Sequence, residues 1–345
     1  MNEPAQTGVH RRTPERGRPD SLAPDAGQLA RAKDIVAAAH PSTPLIHSRL
    51  LSTRSGKEVH LKLEGISAVR SFKFRGALMA VASAVEEFPG RPIVTASTGN
   101  HGQGIAFAGR RHGVEVIVCS PTTTLDEKRS AMESLGATVV ISGPTLTESE
   151  QRAREIAAER NGLYIEDGES PYLMAGAATV VMEMLEQRPD LDTIVVPIGG
   201  GTLVAASLLA VAAAGSSATI VGVQSIEAPG ATRSWLAGKI VPQGCHTYAG
   251  GLATERPGEL ALSVMTERLE TIVLVTDDDL RAESGSAFQS LGLVVEGAAA
   301  APLAAFRLHP EAIEGDRIGI VISGSWLAAD QLAEGLALSS HRANP

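Results

Sequence analysis

The 345-residue sequence predicts an α/β protein whose parallel-rich sheets are covered by helices on both faces. Three observations predict it. Short apolar runs such as 193–198 and 318–322 carry Val and Ile at successive positions, so both faces of these strands are set for burial. Segments of helical periodicity stand between the runs, the alternation that a parallel sheet with crossover helices requires. Glycine-rich turns, at 97–104 and 198–202, fall where strands give way to helices, the place where ligands collect in such folds.

Residues 1–26 are rich in Pro, Arg, Gly and Asp without an apolar period, and are expected to form a disordered leader. Their Arg content is that of a transit peptide, but Glu3, Glu15, Asp20 and Asp25 argue against one. From Gln28 the spacing of Leu29, Ala32, Ile35 and Val36 is helical, and Pro41 and Pro44 mark a connector. A strand over 58–63 precedes a helix that opens near Ser71. Strands are then expected at 92–96, 114–119, 138–141 and 163–165, with helices beginning at 104 and covering 125–135, 149–160 and 174–187. The continuous apolar strand 193–198 is followed by helix 203–214 and strand 219–223. Strand 271–275, a helix over 282–291, an Ala-rich helix over 298–306 and strand 318–322 complete the series, and no fixed-period repeat is present.

Composition bounds what such a chain does. Aromatic residues make up only 3% against 43% hydrophobic, so the core is expected to be built from Ala, Val, Leu and Ile. A net charge of -9 argues against nucleic acid, which needs clustered Lys and Arg to displace counterions. No apolar stretch reaches bilayer length without Gly or charge, so no membrane partner is expected. Two cysteines, Cys119 and Cys245, make no disulfide framework, which places the chain in a reducing compartment, the cytoplasm.

The stretch Ser71-Phe72-Lys73-Phe74-Arg75-Gly76 carries the chemistry. Lys73 stands in a first helical turn, where the dipole favours anions. A lysine held against that field is either a solvated surface residue or an amine meant to lose its proton and react, and Phe72 and Phe74 favour an apolar setting. The turn Ser97-Thr98-Gly99-Asn100-His101 combines close backbone approach with hydroxyl and amide groups suited to an anion. The turn Ile198-Gly199-Gly200-Gly201-Thr202 leaves an apolar strand and opens a helix, a ready phosphate cradle. Neither turn has the Gly-x-Gly-x-x-Gly spacing of a dinucleotide site, the strand after the second ends in Gln224 without an acid for a ribose, and no Gly-Lys-Ser or Gly-Lys-Thr follows. A reactive amine, a phosphate cradle and an anion turn point to pyridoxal 5'-phosphate, with a Schiff base on Lys73 and an amino-acid carboxylate at residues 97–101.

Over roughly residues 30–335 the sequence resembles the fold-type II pyridoxal-phosphate enzymes, in the threonine/serine dehydratase and serine racemase branch. The carriers are Lys62-Leu63-Glu64, residues 71–77, residues 97–103, Pro197 to Gly201, Glu296-Gly297-Ala298-Ala299-Ala300 and Ser323-Gly324. The resemblance implies a two-domain, tryptophan synthase beta-like fold, with a large cofactor domain at 27–91 and 169–345 and a small domain at 92–168. It implies that Lys73 binds the cofactor aldehyde, Phe72 packs near its ring, Asn100 meets its phenolic oxygen and Ser323 its pyridine nitrogen. Gly199, Gly200, Gly201 and Thr202 would hold the phosphate, with Gly251 in the same cofactor set, while Ser97, Thr98, Asn100 and His101 bind the substrate. The freed Lys73 amine, its pKa lowered by burial, would then remove the α-proton, and a β-hydroxyl would leave to give a 2-oxo acid and ammonia. L-threonine or L-serine is the expected substrate, the assembly a homodimer, and the alternatives β-replacement, racemization with Thr98 as second acid/base, or a catalytically weak binding homologue.

Departures from the family pattern surround the substrate side more than the phosphate side, where Thr202 ends a loop that is usually four glycines. Ile66-Ser67-Ala68-Val69-Arg70 stands where Gln-x-Thr-Gly is usual, Ala249-Gly250-Gly251 for Ala-Asp-Gly, Ala175-Gly176-Ala177-Ala178 for Ala-Gly-Gln-Gly, and Ser323-Gly324-Ser325-Trp326 for Ser-Gly-Gly-Asn. Arg70 could select an acidic amino acid. Gln224 and Gly230 occupy places that are acidic in metal-dependent relatives, so no divalent metal site is expected. His101 is expected to serve through its backbone, Glu296 through a helix dipole or the cofactor region, and the Asp277-Asp278-Asp279 run as a cap.

Overall fold

Two sheets with separate cores organise the chain in the computed structural model, which describes residues 6–15 and 22–342. In chain order the strands are β1 (Gly8–Arg11), β2 (Leu45–His47), β3 (Glu58–Leu63), β4 (Ile93–Ala96), β5 (Val116–Ser120), β6 (Thr138–Ile141), β7 (Leu163–Tyr164), β8 (Thr193–Pro197), β9 (Thr219–Ser225), β10 (Thr271–Val275) and β11 (Arg317–Ile322). The chain divides into two compact units. Unit 1 comprises Met1–Ala23, Ser42–Ile66 and Val180–Pro345, and unit 2 comprises Pro24–Pro41 and Ser67–Thr179.

Unit 1 holds a seven-stranded sheet in the order β1-β10-β9-β8-β11-β3-β2, parallel throughout except for the two edge strands. Alternate residues of the inner strands face one core: Leu61, Val195, Val221, Val273 and Ile320 pack on the Ala-rich helix Gly297–Leu308. Its alanines let the helix lie close to the sheet, which is how a chain with few aromatic residues fills its interior. Unit 2 holds the four-stranded parallel sheet β6-β5-β4-β7. Here the period of two is plain. Ile93, Val116 and Val118 face a core shared with Val36, Leu78 and Ile105, whereas Val94, Ala96, Ile117 and Cys119 face Ala153 and Ile156 on the other side.

Three expectations are corrected. Residues 8–11 are not a disordered leader: β1 pairs antiparallel with β10, Gly8 opposite Leu274 and Arg11 opposite Thr271, and Arg12 N donates to Glu270 O at 3.0 Å. Residues 1–5 and 16–21 of that leader lie outside the described residues. The connector after Pro41 contains β2 and the helix Arg49–Ser55, which Ser48 caps. The division of the chain also differs from 27–91 with 169–345 against 92–168. Residues 67–91 and 169–179 belong with unit 2, because helix Lys73–Glu87 packs on helix Asn100–His112 and on helix Ala26–Ala39. Among the described residues no helix is long and apolar enough to cross a membrane.

Helix Lys73–Glu87 crosses the start of helix Pro171–Gln187 backbone on backbone. A Cβ on Gly176 would meet Arg75 O at 2.2 Å and Gly76 Cα at 2.6 Å, and one on Gly76 would meet Leu173 O at 2.7 Å. The Gly176→Ala variant gains helix propensity, yet the clash is with backbone that has nowhere to move, so it is expected to lose about 1–3 kcal/mol, read as a lower urea midpoint.

Candidate active site

Lys73 is the first residue of its helix, and Phe72 precedes it as an N-cap without a capping side chain. Its backbone is held by the neighbouring helix, since a Cβ on Gly104 would lie 3.0 Å from Lys73 O. The amine is not walled in by apolar groups as expected. The side chain is 26% exposed, and Nζ donates to both carboxylate oxygens of Asp167, at 2.7 and 2.8 Å. The Phe72 ring lies 5.6 Å from the ammonium, within cation–π range. Two residues earlier, the fully buried Ser71 hydroxyl has no hydrogen-bond partner among the described residues.

Asp167 sits on the loop after β7 and joins Lys73 to His101, whose Nδ1 lies 3.5 Å from Oδ1. Dehydration alone would raise the Asp167 pKa. Because 43% of this side chain still meets solvent the dehydration is partial, and the Lys73 ammonium, then His101, outweigh it and hold the carboxyl at about 2. His101 is shifted down. Burial of the imidazole is the main cause, the Asp167 carboxylate opposes it, and Lys73 adds to it. Its Nε2 is 3.0 Å from the Thr95 hydroxyl, which in turn donates to Ile165 O at 2.7 Å.

The turn between β4 and helix Asn100–His112 is organised by Ser97, whose Oγ accepts from Gly99 N at 3.0 Å and Gly102 N at 2.9 Å. This places the Ser97 hydroxyl inside the turn and not on its open side. Thr98 is exposed, Asn100 half-buried and His101 buried. Gly102 leaves room for its neighbours, since a Cβ there would meet Met132 Sδ at 2.5 Å and Ser97 Cβ at 3.0 Å, and the Lys128 side chain lies against Gly99. Arg70, where glycine is usual, adopts φ +57°, a left-handed conformation that strains a residue with a Cβ.

In unit 1, β8 runs through Ile198 into Gly199-Gly200-Gly201, and helix Thr202–Ala213 follows. Gly201 is the N-cap at φ +91° and offers no side chain to the first-turn N–H groups, which have no intrahelical acceptor. A Cβ on Gly199 would lie 2.4 Å from Gly251 O, so these two segments touch, whereas Gly200 faces open space. The segment carrying Gly251 is anchored by Asp277, which accepts from Thr247 Oγ1 at 2.6 Å and Tyr248 N at 2.9 Å. The helix cap itself is therefore not the Asp run alone but the box of Thr276 with Asp279. Ser323 is buried just after β11. Glu296 supports the adjoining turn: Trp326 N donates to its Oε2 at 3.2 Å, and Oε1 lies where a Cβ on Gly324 would be.

Lys73, Ser97, Thr98, Asn100 and His101 are thus gathered in unit 2, and Gly199 to Thr202, Gly251 and Ser323 belong to unit 1. Asp167 and Thr95 were missed. The sequence around Asp167, Glu166-Asp167-Gly168, signals only a turn, and its contact to Lys73 spans 94 residues.

A family described as pyridoxal-phosphate dependent enzymes matches residues 36–324. An L-threonine ammonia-lyase of Geobacter sulfurreducens is 35% identical over 264 residues, 76% of this chain and 66% of that relative. Among solved structures, a processed threonine deaminase isoform 2 from Solanum lycopersicum matches at TM-score 0.85 and 27% identity, over 96% of this chain and 99% of that one. A pyridoxal 5'-phosphate-dependent aspartate racemase matches at TM-score 0.83 and 28% identity, over 90% and 98%.

A buried imidazole with a lowered pKa resists a proton that the unfolded chain accepts below pH 6.5. His101 therefore contributes stability that is present above 6.5 and lost as pH falls through its lowered folded value. Urea unfolding of the His101→Gln variant is expected to show a flatter fall in stability below pH 6.5 than the natural chain.

Proposed function

Because this chain belongs to the pyridoxal-phosphate dependent enzyme family, we propose that it is an ammonia-lyase removing water from a β-hydroxy amino acid, L-threonine or L-serine, to release a 2-oxo acid and ammonia. When bound, pyridoxal 5'-phosphate supplies an aldehyde for amines and a ring that draws electrons from the substrate's α-carbon. The fit of unit 1 to that cofactor is supported by its glycine turn. The backbone N–H groups of Gly199, Gly200, Gly201 and Thr202 form the phosphate grip at an uncapped helix N-terminus, with Gly251 packed against Gly199. Ser323 is the proposed neighbour of the ring nitrogen. A neutral hydroxyl would not keep that nitrogen protonated as a carboxylate would, which favours prompt loss of a β-substituent.

In unit 2 Lys73 is the cofactor's amine partner and the base for the α-proton, with Phe72 beside the ring and Asn100 at its phenolic oxygen. The orphaned Ser71 hydroxyl marks this side as built for a further polar partner. The carboxylate of the amino acid is read onto the turn of Ser97, Thr98, Asn100 and His101, where Ser97 holds the turn and the helix dipole favours the negative charge. Lys73 is the observation that carries this reading: the lysine of Ser-Phe-Lys stands in the first turn of its helix, in one unit with that anion turn.

Racemization is the second reading, favoured by the exposed Thr98 hydroxyl and the structural likeness to an aspartate racemase. A homodimer is proposed from the family likeness, and a cytoplasmic setting from the free Cys119 and Cys245. With L-threonine and L-serine the loaded protein is expected to form 2-oxobutanoate and pyruvate with equimolar ammonia. Borohydride should fix the cofactor on Lys73, and Lys73→Ala should lower turnover by about 10³-fold. Label on another lysine, or D-serine appearing without oxo acid, would refute the elimination.

A further inference from the structure

Asp167 has no role in the chemistry described so far, yet it makes the closest polar contacts of the reactive lysine. Both its oxygens accept from Lys73 Nζ, at 2.7 and 2.8 Å. Its other neighbour leaves that carboxylate available. The Thr95 hydroxyl spends its proton on Ile165 O at 2.7 Å, so the bond between Thr95 and His101 Nε2 at 3.0 Å is donated by the imidazole. His101 Nδ1 lies 3.5 Å from Asp167, farther than the Lys73 amine, and burial disfavours charging of its ring. Of the two neighbours that hold the Asp167 carboxyl down, Lys73 is the stronger. The carboxylate therefore acts mainly on Lys73.

We propose that Asp167 is the positioning residue of Lys73, docking its ammonium as the amine is displaced from the cofactor, ahead of the proton loss that makes it a base, and so favouring displacement by an incoming amino acid. The inference rests on the reading of Lys73 as the cofactor's amine partner. In the exchange one carbon–nitrogen linkage forms as the other breaks. With the linkage protonated in both states, the two protons shed by the incoming ammonium end on Lys73, which leaves as –NH₃⁺, and no oxidant or reductant is needed. The leaving form concentrates its charge on one nitrogen with three N–H donors, and the two Asp167 oxygens take two of them. Asp167 is 43% exposed, so the released ammonium stays in contact with water and the dock is one it can leave.

The test has one arm without cofactor and one with it. In the cofactor-free chain, acetylation of Lys73 is followed by mass spectrometry against the exposed Lys239. Asp167→Asn is expected to speed labelling of Lys73 about 3-fold or more, and Asp167→Glu to restore the natural rate. In the loaded enzyme, α-methylserine, which has an amine but no α-proton, is compared with glycerate, which lacks the amine. Asp167→Asn should weaken the first about 3- to 10-fold and leave the second within about 2-fold. Equal labelling of Lys73 in Asp167→Asn and the natural chain, or equal weakening of both ligands, overturns the proposal. Failure of the natural chain to take up cofactor overturns the proposed function instead, and the labelling arm still decides whether Asp167 holds Lys73.

Discussion

The placement of Lys73 depends on steric contacts that only glycine permits. Gly104 brings one helix against the carbonyl of Lys73 itself, and Gly176 brings another against Arg75 and Gly76, one turn along the same element. Backbone atoms in contact do not adjust as side chains do, so the first turn of helix Lys73–Glu87 is held closely against its neighbours. An amine on a flexible four-carbon stem gains most from such a base, because the remaining freedom lies in the side chain alone. Arg75, fully buried, adds to the same clamp by donating to Thr179 Oγ1 at 3.0 Å. The Ala175-Gly176-Ala177-Ala178 segment, a departure from the family pattern, keeps the one glycine this crossing requires.

Much of the fold was legible because parallel strands announce themselves. The runs that become β8 and β11 are apolar at nearly every position, and the glycines after β4 and β8 mark where chain direction changes. β1 was illegible for a physical reason. Four residues, Gly8 to Arg11, form a strand only because the edge of β10 is there to pair with, and nothing local encodes that pairing. Between 223 and 271 the helices Gly230–Ala237 and Glu259–Arg268 went unread, since their weak amphipathic patterns sit among Pro and Gly. Arg70 shows the converse. The sequence flagged it as unusual where glycine is common, and its positive φ gives the reason glycine suits that position.

The candidate site divides the same way. Residues within a motif, such as Lys73 or Gly199 to Thr202, are legible because their neighbours in sequence are their neighbours in space. Asp167 is not, because a loop carboxylate acquires meaning only when folding brings it to an amine 94 residues away. Glu296 lies between these cases. Its motif drew notice, but its work, holding the turn beyond Ser323 through Trp326 N, requires the register of β11 and of the helix Gly297–Leu308.

Both turns use one device, the end of a parallel strand followed by a helix whose N-cap is a glycine, yet they are enforced differently. After β8 the enforcement is backbone: Gly199 presses on Gly251 O, and Gly201 needs a left-handed φ. Substitution there meets atoms that cannot yield. After β4 the turn is held by a side chain, Ser97 Oγ taking two backbone N–H groups, and the space beside Gly99 is filled by the flexible end of Lys128. Side-chain enforcement can be changed by one substitution at a time without moving the main chain. A fold built this way keeps the glycine turn after β8 rigid while the turn after β4 remains adjustable.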